Sequence, residues 1–178
     1  MNVFVKNKEL TIRRFVNADI DNLFSYLQKL SAETRSKFAP HLFDRESIEK
    51  FYKDSSNMAY LVFDCECDEI VAYSIVKTGI VDCDFERFRS YGLNLNNASD
   101  YTFAPSVADG WQSCGIGSIM LQFILHELKQ ADVNRLFLWG GVQSKNKKAV
   151  NYYKKFGFRT LGYFFHNVDN CDMVLDFK

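Results

Sequence analysis

Val107-Ala-Asp-Gly110-Trp-Gln112-Ser-Cys-Gly115-Ile-Gly117 lies between a β-prone run, Tyr101 to Val107, and a helix-periodic run that reaches Gln130. Glycines at 115 and 117 leave backbone N–H groups unobstructed where a helix presents its positive end, and together these make a seat for a pyrophosphate. A glycine pair before a helix also serves dinucleotide folds and plain tight turns. No Gly-Lys-Ser/Thr follows, which excludes a Walker A loop. The loop lies past mid-chain with no β-α-β alternation before it, which argues against a Rossmann domain.

Pro105 sits inside the run that feeds this loop. Proline removes a ladder donor and belongs at an edge or a bulge, so the strand is expected to bulge there and splay from its neighbour. Unpaired backbone near Val107 then suits an extended ligand with an amide-containing arm beside the strand and a pyrophosphate on the loop. Coenzyme A has that shape.

Upstream, Leu10 to Phe15 is β-prone, and Ile20, Leu23, Phe24, Leu27 and Leu30 are spaced for one helix face. Asp44 reads as the N-cap of a second helix carrying Ile48, Phe51 and Tyr52. Two apolar runs, 59–63 and 70–76, flank the polar turn 64–69 and predict an antiparallel hairpin. Residues 80–99 mix carboxylates, arginines and aromatics and end in asparagines; they read as a long irregular excursion. Downstream come a helix over 117–130 with Met120, Phe123, Ile124 and Leu128 on its buried face, and a strand over 135–139. A short helix over 146–156 closed by Gly157 follows, then two final β runs near 161–165 and 173–177. This order predicts a layered α/β domain with a mixed sheet.

The chain has 178 residues, of which 47% are apolar and 16% aromatic, enough for a packed core and against intrinsic disorder. Lys+Arg and Asp+Glu both number 22, so the chain lacks the basic footprint of a general nucleic-acid or anionic-membrane binder. The longest apolar stretch, Gly115 to Leu125, is interrupted by Gln122 and falls short of a membrane span. No apolar region follows the N-terminal Met, so no signal peptide is expected and a cytoplasmic location is. The five cysteines are scattered and read as free thiols, with Cys65 and Cys67 in a hairpin turn. With three isolated histidines besides, no metal is expected.

Residues 100–178 resemble the GNAT superfamily of acyl-CoA-dependent N-acetyltransferases. Gln112-Ser-Cys-Gly115-Ile-Gly117 matches that family's Gln/Arg-x-x-Gly-x-Gly/Ala motif, with Val107 five positions ahead. Asn146-Lys-Lys-Ala149-Val-Asn-Tyr152-Tyr153-Lys-Lys-Phe-Gly157-Phe158 matches its Asn-x-x-Ala-x-x-aromatic-Tyr-x-x-x-Gly-Phe motif. The resemblance implies an α/β (α+β) fold: a mixed, mostly antiparallel central sheet flanked by helices, with strands 4 and 5 splayed. It implies one domain over 1–178, in which 1–100 builds the acceptor side and 101–178 binds acetyl-CoA. By that resemblance the amides of Ser113, Cys114, Gly115, Ile116, Gly117 and Ser118 hold the CoA pyrophosphate. Val107 and Asn146 contact the pantetheine arm, and Tyr153 is the general acid that reprotonates the departing thiolate.

Two departures stand out. Many members carry a Glu on the strand before the loop; here that position falls on Tyr101 or Thr102. An alkylamine must lose its proton to attack, so a base is expected, and Asp100 is the candidate, with Asp82, Asp84 and Glu86 as alternatives. Ser113 and Cys114 stand where relatives often carry a basic or glycine residue, which weakens phosphate binding. Cys114, a thiol at a helix N-terminus, is read as mostly structural. On the acceptor side, Phe38, His41, Phe43, Phe51, Tyr52, Phe85, Phe88 and Tyr91 with a few carboxylates favour a small amine with an apolar, ring or sugar portion. The alternatives are a protein Lys or N-terminal acetyltransferase and a catalytically weak acyl-CoA-binding domain. Relatives are commonly dimers, so the resemblance allows a homodimer.

Overall fold

The structure is a computed structural model and describes residues 1–177. The strands are β1 (Asn2–Val5), β2 (Lys8–Arg14), β3 (Asn57–Asp64), β4 (Glu69–Thr78), β5 (Asp100–Val107), β6 (Arg135–Leu138), β7 (Val142–Gln143), β8 (Arg159–His166) and β9 (Val168–Asp176). The helices are α1 (Ile20–Lys29), α2 (Ala32–Arg35), α3 (Arg45–Phe51), α4 (Asp82–Ser90), α5 (Ile116–Lys129) and α6 (Lys147–Lys155). The sheet runs β1-β2-β3-β4-β5-β6-β9-β7, with β8 also on β9. The β5–β6 pair is parallel, whereas the β1–β2, β2–β3, β6–β9, β7–β9 and β8–β9 pairs are antiparallel. None of the described helices is long and apolar enough to cross a membrane.

The chain forms two compact units, Met1–Val76 with Ala104–Gln130, and Lys77–Phe103 with Ala131–Lys178. β4 and β5 each pass from one unit to the other within the strand.

In the first unit, β1 and β2 form a hairpin turned at Lys6 and Asn7, both left-handed (φ 52° and 61°). The sequence reading missed β1, so the strands expected as fourth and fifth are β5 and β6. Residues on β4 alternate faces. The Tyr73 ring meets Tyr26 of α1 edge-on at 6.3 Å, while the Ser74 hydroxyl reaches Met120 Sδ of α5 at 3.4 Å. Leu23 and Leu27 of α1 and Met120, Ile124 and Leu128 of α5 are buried as the apolar periodicity predicts; Phe123 is half-buried, and Leu121 is buried outside the predicted set. Asp44 caps α3 as expected, its carboxylate accepting from Ser47 N at 2.8 Å.

In the second unit, the excursion expected over 80–99 contains a nine-residue helix, α4. Asp82 and Asp84 lie in its first turn and Arg87 and Arg89 in its last, which complements the helix dipole. Phe88 is fully buried and stacks on Phe137 at 4.7 Å; Ile80 and Val174 complete that cluster. Asp84 is buried on the same face, accepting from Arg87 and from Gly140 N, each at 2.7 Å. Asp172 takes two further bonds from Arg87, at 2.7 and 3.1 Å, and one from Tyr91 at 2.9 Å.

Candidate active site

The loop in the first unit begins where β5 ends. Ala108 N donates to Val71 O at 2.9 Å, and a single 3-10 turn, Asp109–Trp111, follows. Ser113 (φ 65°) and Gly115 (φ 93°) then both adopt left-handed backbone, and Gly115 is the N-cap of α5 with no side chain to fill it. The first-turn amides of a helix have no intrahelical acceptors, and the dipole adds positive potential there. A Cβ built on Gly115 meets nothing within 4 Å, so this face of the loop is open.

Three long-range contacts hold the loop. Asp109 accepts from Ser31 N, Ser31 Oγ and Thr34 Oγ1 at 2.9, 2.7 and 2.6 Å, tying it to the start of α2. These donors hold the Asp109 carboxyl at about 2, well below the usual carboxylate value. Lys6, from the β1–β2 turn, donates to Gly110 O at 3.0 Å and lies over Trp111, bringing a cation that the loop's own sequence lacks. Gln112 Nε2 donates to Val107 O at 3.3 Å and to Thr34 Oγ1 at 3.2 Å. The Cys114 thiol donates to Trp111 O, a contact within the turn that fits a structural role.

Pro105 does not break its strand. The β5–β6 register runs unshifted from Asp100↔Arg135 to Phe103↔Leu138, and β6 then ends while β5 continues to Val107. The expected bulge is replaced by termination of the partner. Phe103 O accepts from Trp139 N at 2.9 Å, and by the two-residue period Pro105 and Val107 present their backbone on that same edge of β5.

Also in the first unit, three elements bring together a hydrogen-bonded aromatic cluster. His41 Nδ1 lies 2.7 Å from Leu42 O and its Nε2 2.9 Å from the Tyr73 hydroxyl, which is 2.5 Å from the Tyr52 hydroxyl. Phe51 packs 4.8 Å from the His41 ring and Phe15 stacks on Tyr52 at 4.2 Å. A shallow depression of about 370 Å³ opens beside it, lined by His41, Leu42, Ser47, Lys50, Phe51 and their neighbours Asp54 and Asn57. Burial lowers the His41 pKa and raises those of both phenols, so all three are neutral near pH 7. The cluster joins β5 through Ser106, whose hydroxyl lies 2.9 Å from Tyr26 Oη and 3.3 Å from Tyr73 O.

In the second unit, Asn146 caps α6, its Oδ1 accepting from Ala149 N at 3.1 Å. The helix ends in a Schellman motif: Phe158 N donates to Tyr153 O at 3.1 Å, Gly157 N to Lys154 O at 3.0 Å, and Gly157 is left-handed (φ 90°). The hydrophobic contact that accompanies this motif is here Phe158 on Tyr153, 5.4 Å between centroids. The Gly-Phe pair thus sets the orientation of the tyrosine four and five residues earlier. Tyr153 is buried, which pushes its phenol well above the ordinary range.

Asp100 is a correction. It is fully buried, gripped by Arg135 at 2.8 and 2.5 Å and bonded to Asn96 N at 2.7 Å, so both carboxylate oxygens are occupied by donors of the chain itself. Of the alternatives, Asp84 is bonded as above, Glu86 is an exposed partner of Arg89, and Asp82 lies exposed in the first turn of α4.

A model of the acetyltransferase (GNAT) family matches residues 25–158. The chain belongs to the GNAT acetyltransferase family. Solved GNAT structures share its fold. The GNAT domain of S. lividans PAT superposes with a TM-score of 0.75 at 16% identity, covering 99% of this chain and 96% of that one. A GNAT acetyltransferase from Streptococcus pneumoniae gives 0.69 at 19%, covering 95% and 99%. The aminoglycoside acetyltransferase AAC(6')-Ib, in complex with coenzyme A and kanamycin, gives 0.70 at 15%, covering 94% and 95%.

Proposed function

We propose that this GNAT protein transfers an acetyl group from acetyl-CoA to the primary amine of a small molecule by direct attack. The observation that carries the reading is the loop, where left-handed Ser113 and Gly115 open α5 with an unfilled N-cap, a seat suited to a pyrophosphate. The amides from Ser113 to Ser118 bind that group. Val107 offers backbone to the pantetheine amides, and the Asn146 side-chain NH2, not used by the helix cap, offers a donor. Tyr153 is the general acid: its raised pKa keeps the phenol protonated until a thiolate departs, and the proton then moves from Tyr153 Oη to sulfur. A small acceptor is supported by the depression beside His41, within the range of small-molecule sites, and by the aminoglycoside that a structural neighbour takes.

Calorimetric titration of the reduced protein tests the reading. Acetyl-CoA should bind and NAD should give no heat, with 3′-dephospho-CoA as a further control. Absence of acetyl-CoA binding would reduce residues 112–117 to a turn and remove the role of Tyr153 with it.

A further inference from the structure

The acetyltransfer reading leaves one chemical requirement to assign: the attacking nitrogen must shed a proton, and the buried candidates Asp100 and Asp84 are each held by an arginine. The His41 cluster meets that requirement by its hydrogen-bond directions. A carbonyl oxygen only accepts, so the 2.7 Å contact with Leu42 O places the ring proton on Nδ1. Nε2 of the neutral ring is then an acceptor, and the Tyr73 hydroxyl donates to it. That uses the proton of Tyr73, so the Tyr52 hydroxyl donates to Tyr73. The chain of donors runs one way, and it begins with the Tyr52 oxygen, which accepts from no group among the described residues.

We propose that Tyr52, Tyr73 and His41 form a proton relay that takes the proton released by the acceptor amine, and that the depression beside His41 and Phe51 holds the ring or apolar body of that amine. The proposal rests on the acetyltransfer reading above. As the nitrogen–acetyl bond forms, the carbonyl–sulfur bond breaks with its electron pair leaving on the thiolate that Tyr153 protonates, and an N–H bond breaks with its pair staying on nitrogen. The proton goes to Tyr52 Oη, the Tyr52 proton passes to Tyr73 Oη, and the Tyr73 proton passes to His41 Nε2. Both tyrosines end neutral and His41 becomes an imidazolium whose Nδ1–H remains on Leu42 O; it returns its proton to water.

The surroundings favour this. Tyr73 is completely buried between α1 and the loop after α2, with Tyr26 and Phe38 edge-on at 6.3 and 5.5 Å, so water does not short-circuit its bond to His41. The groups facing His41 are the phenol of Tyr73 from β4, Asp44 at the cap of α3, and Lys50 and Asp54 on the rim. Desolvation outweighs Asp44, so His41 stays neutral and ready to accept down to a pH below its ordinary 6.5.

The test uses acetyl-CoA and 2-phenylethylamine with the wild type, His41→Gln and Tyr52→Phe. Acetyl-CoA affinity should be the same in all three. In both variants kcat should fall ~100-fold, the size of a lost proton-transfer group, with KM little changed in Tyr52→Phe, whose side chain does not line the depression. The acid limb of the wild-type rate profile, below pH 6.5, should vanish in His41→Gln. Variants that bind acetyl-CoA and turn over at the wild-type rate would overturn the relay and leave the acetyltransfer reading standing. A wild type that does not bind acetyl-CoA would overturn both. One that binds it but leaves 2-phenylethylamine unmodified would overturn the ring-bearing acceptor. Nitrogen-15 spectra of the wild type at neutral pH test the relay without any variant: Nδ1 protonated and Nε2 bare is expected, and the opposite tautomer reverses the donor chain and sinks it.

Discussion

Arg135 holds Asp100 through both carboxylate oxygens, Nε at 2.8 Å and Nη2 at 2.5 Å, with the acid fully buried. The same Nη2 reaches Asn94 O at 2.6 Å, so the pair pins the approach to β5 against β6. Removing one partner of a buried pair strands the other charge, which costs about 3 kcal/mol. Asp100→Asn should therefore lower the urea midpoint strongly, while kcat per folded molecule stays at the wild-type value. A hundredfold drop in kcat with the midpoint unmoved would return Asp100 to the chemistry.

Tyr153→Phe should behave in the opposite way. The phenol has no hydrogen-bond partner among the described residues, so the packing on Phe158 survives the change. Stability and acetyl-CoA affinity should hold, and kcat should fall ~100-fold. An unchanged kcat would remove Tyr153 from the proton inventory.

Gly157→Ala places a side chain at φ 90°, at about 1–2 kcal/mol, and its Cβ would lie 3.3 Å from Leu175 Cδ1. The melting temperature should drop by roughly 2–8 °C. Gly157→Asn should lose less, because asparagine tolerates the left-handed region. Equal losses in the two variants would mean that crowding by Leu175, not backbone conformation, sets the cost.

Asp109 titrates at about 2 in the folded chain against 3.8 ordinarily, so its carboxylate contributes stability above the ordinary value and loses it as pH falls from about 4 towards 2. Asp109→Asn should melt lower than the wild type at pH 6, and the gap should narrow as the pH approaches 2. A gap that persists at pH 2 would assign the effect to shape rather than charge.

The loop and α6 were legible in the sequence because each is local: a left-handed N-cap at Gly115 and a Schellman end at Gly157 fall within a few residues of the groups they position. The α4 helix was hidden because its inward face sets a buried carboxylate, Asp84, beside Phe85 and Phe88, which interrupts the apolar periodicity. Asp100 was misread because Arg135 lies 35 residues away. The His41 cluster had no linear signature. Its partners sit 32 and 21 residues apart, on a loop, a strand and the end of a helix, and only the folded sheet gathers them.

The chain changes unit three times, at Val76/Lys77, Phe103/Ala104 and Gln130/Ala131, and two of those crossings fall inside strands. Neither half of the molecule can therefore be inherited, swapped or expressed as one uninterrupted stretch of gene. A recombination event anywhere between codons 77 and 130 hands the descendant pieces of both units. A graft that leaves both units whole must begin and end within one of them, as the segment 31–56 with α2 and α3 does.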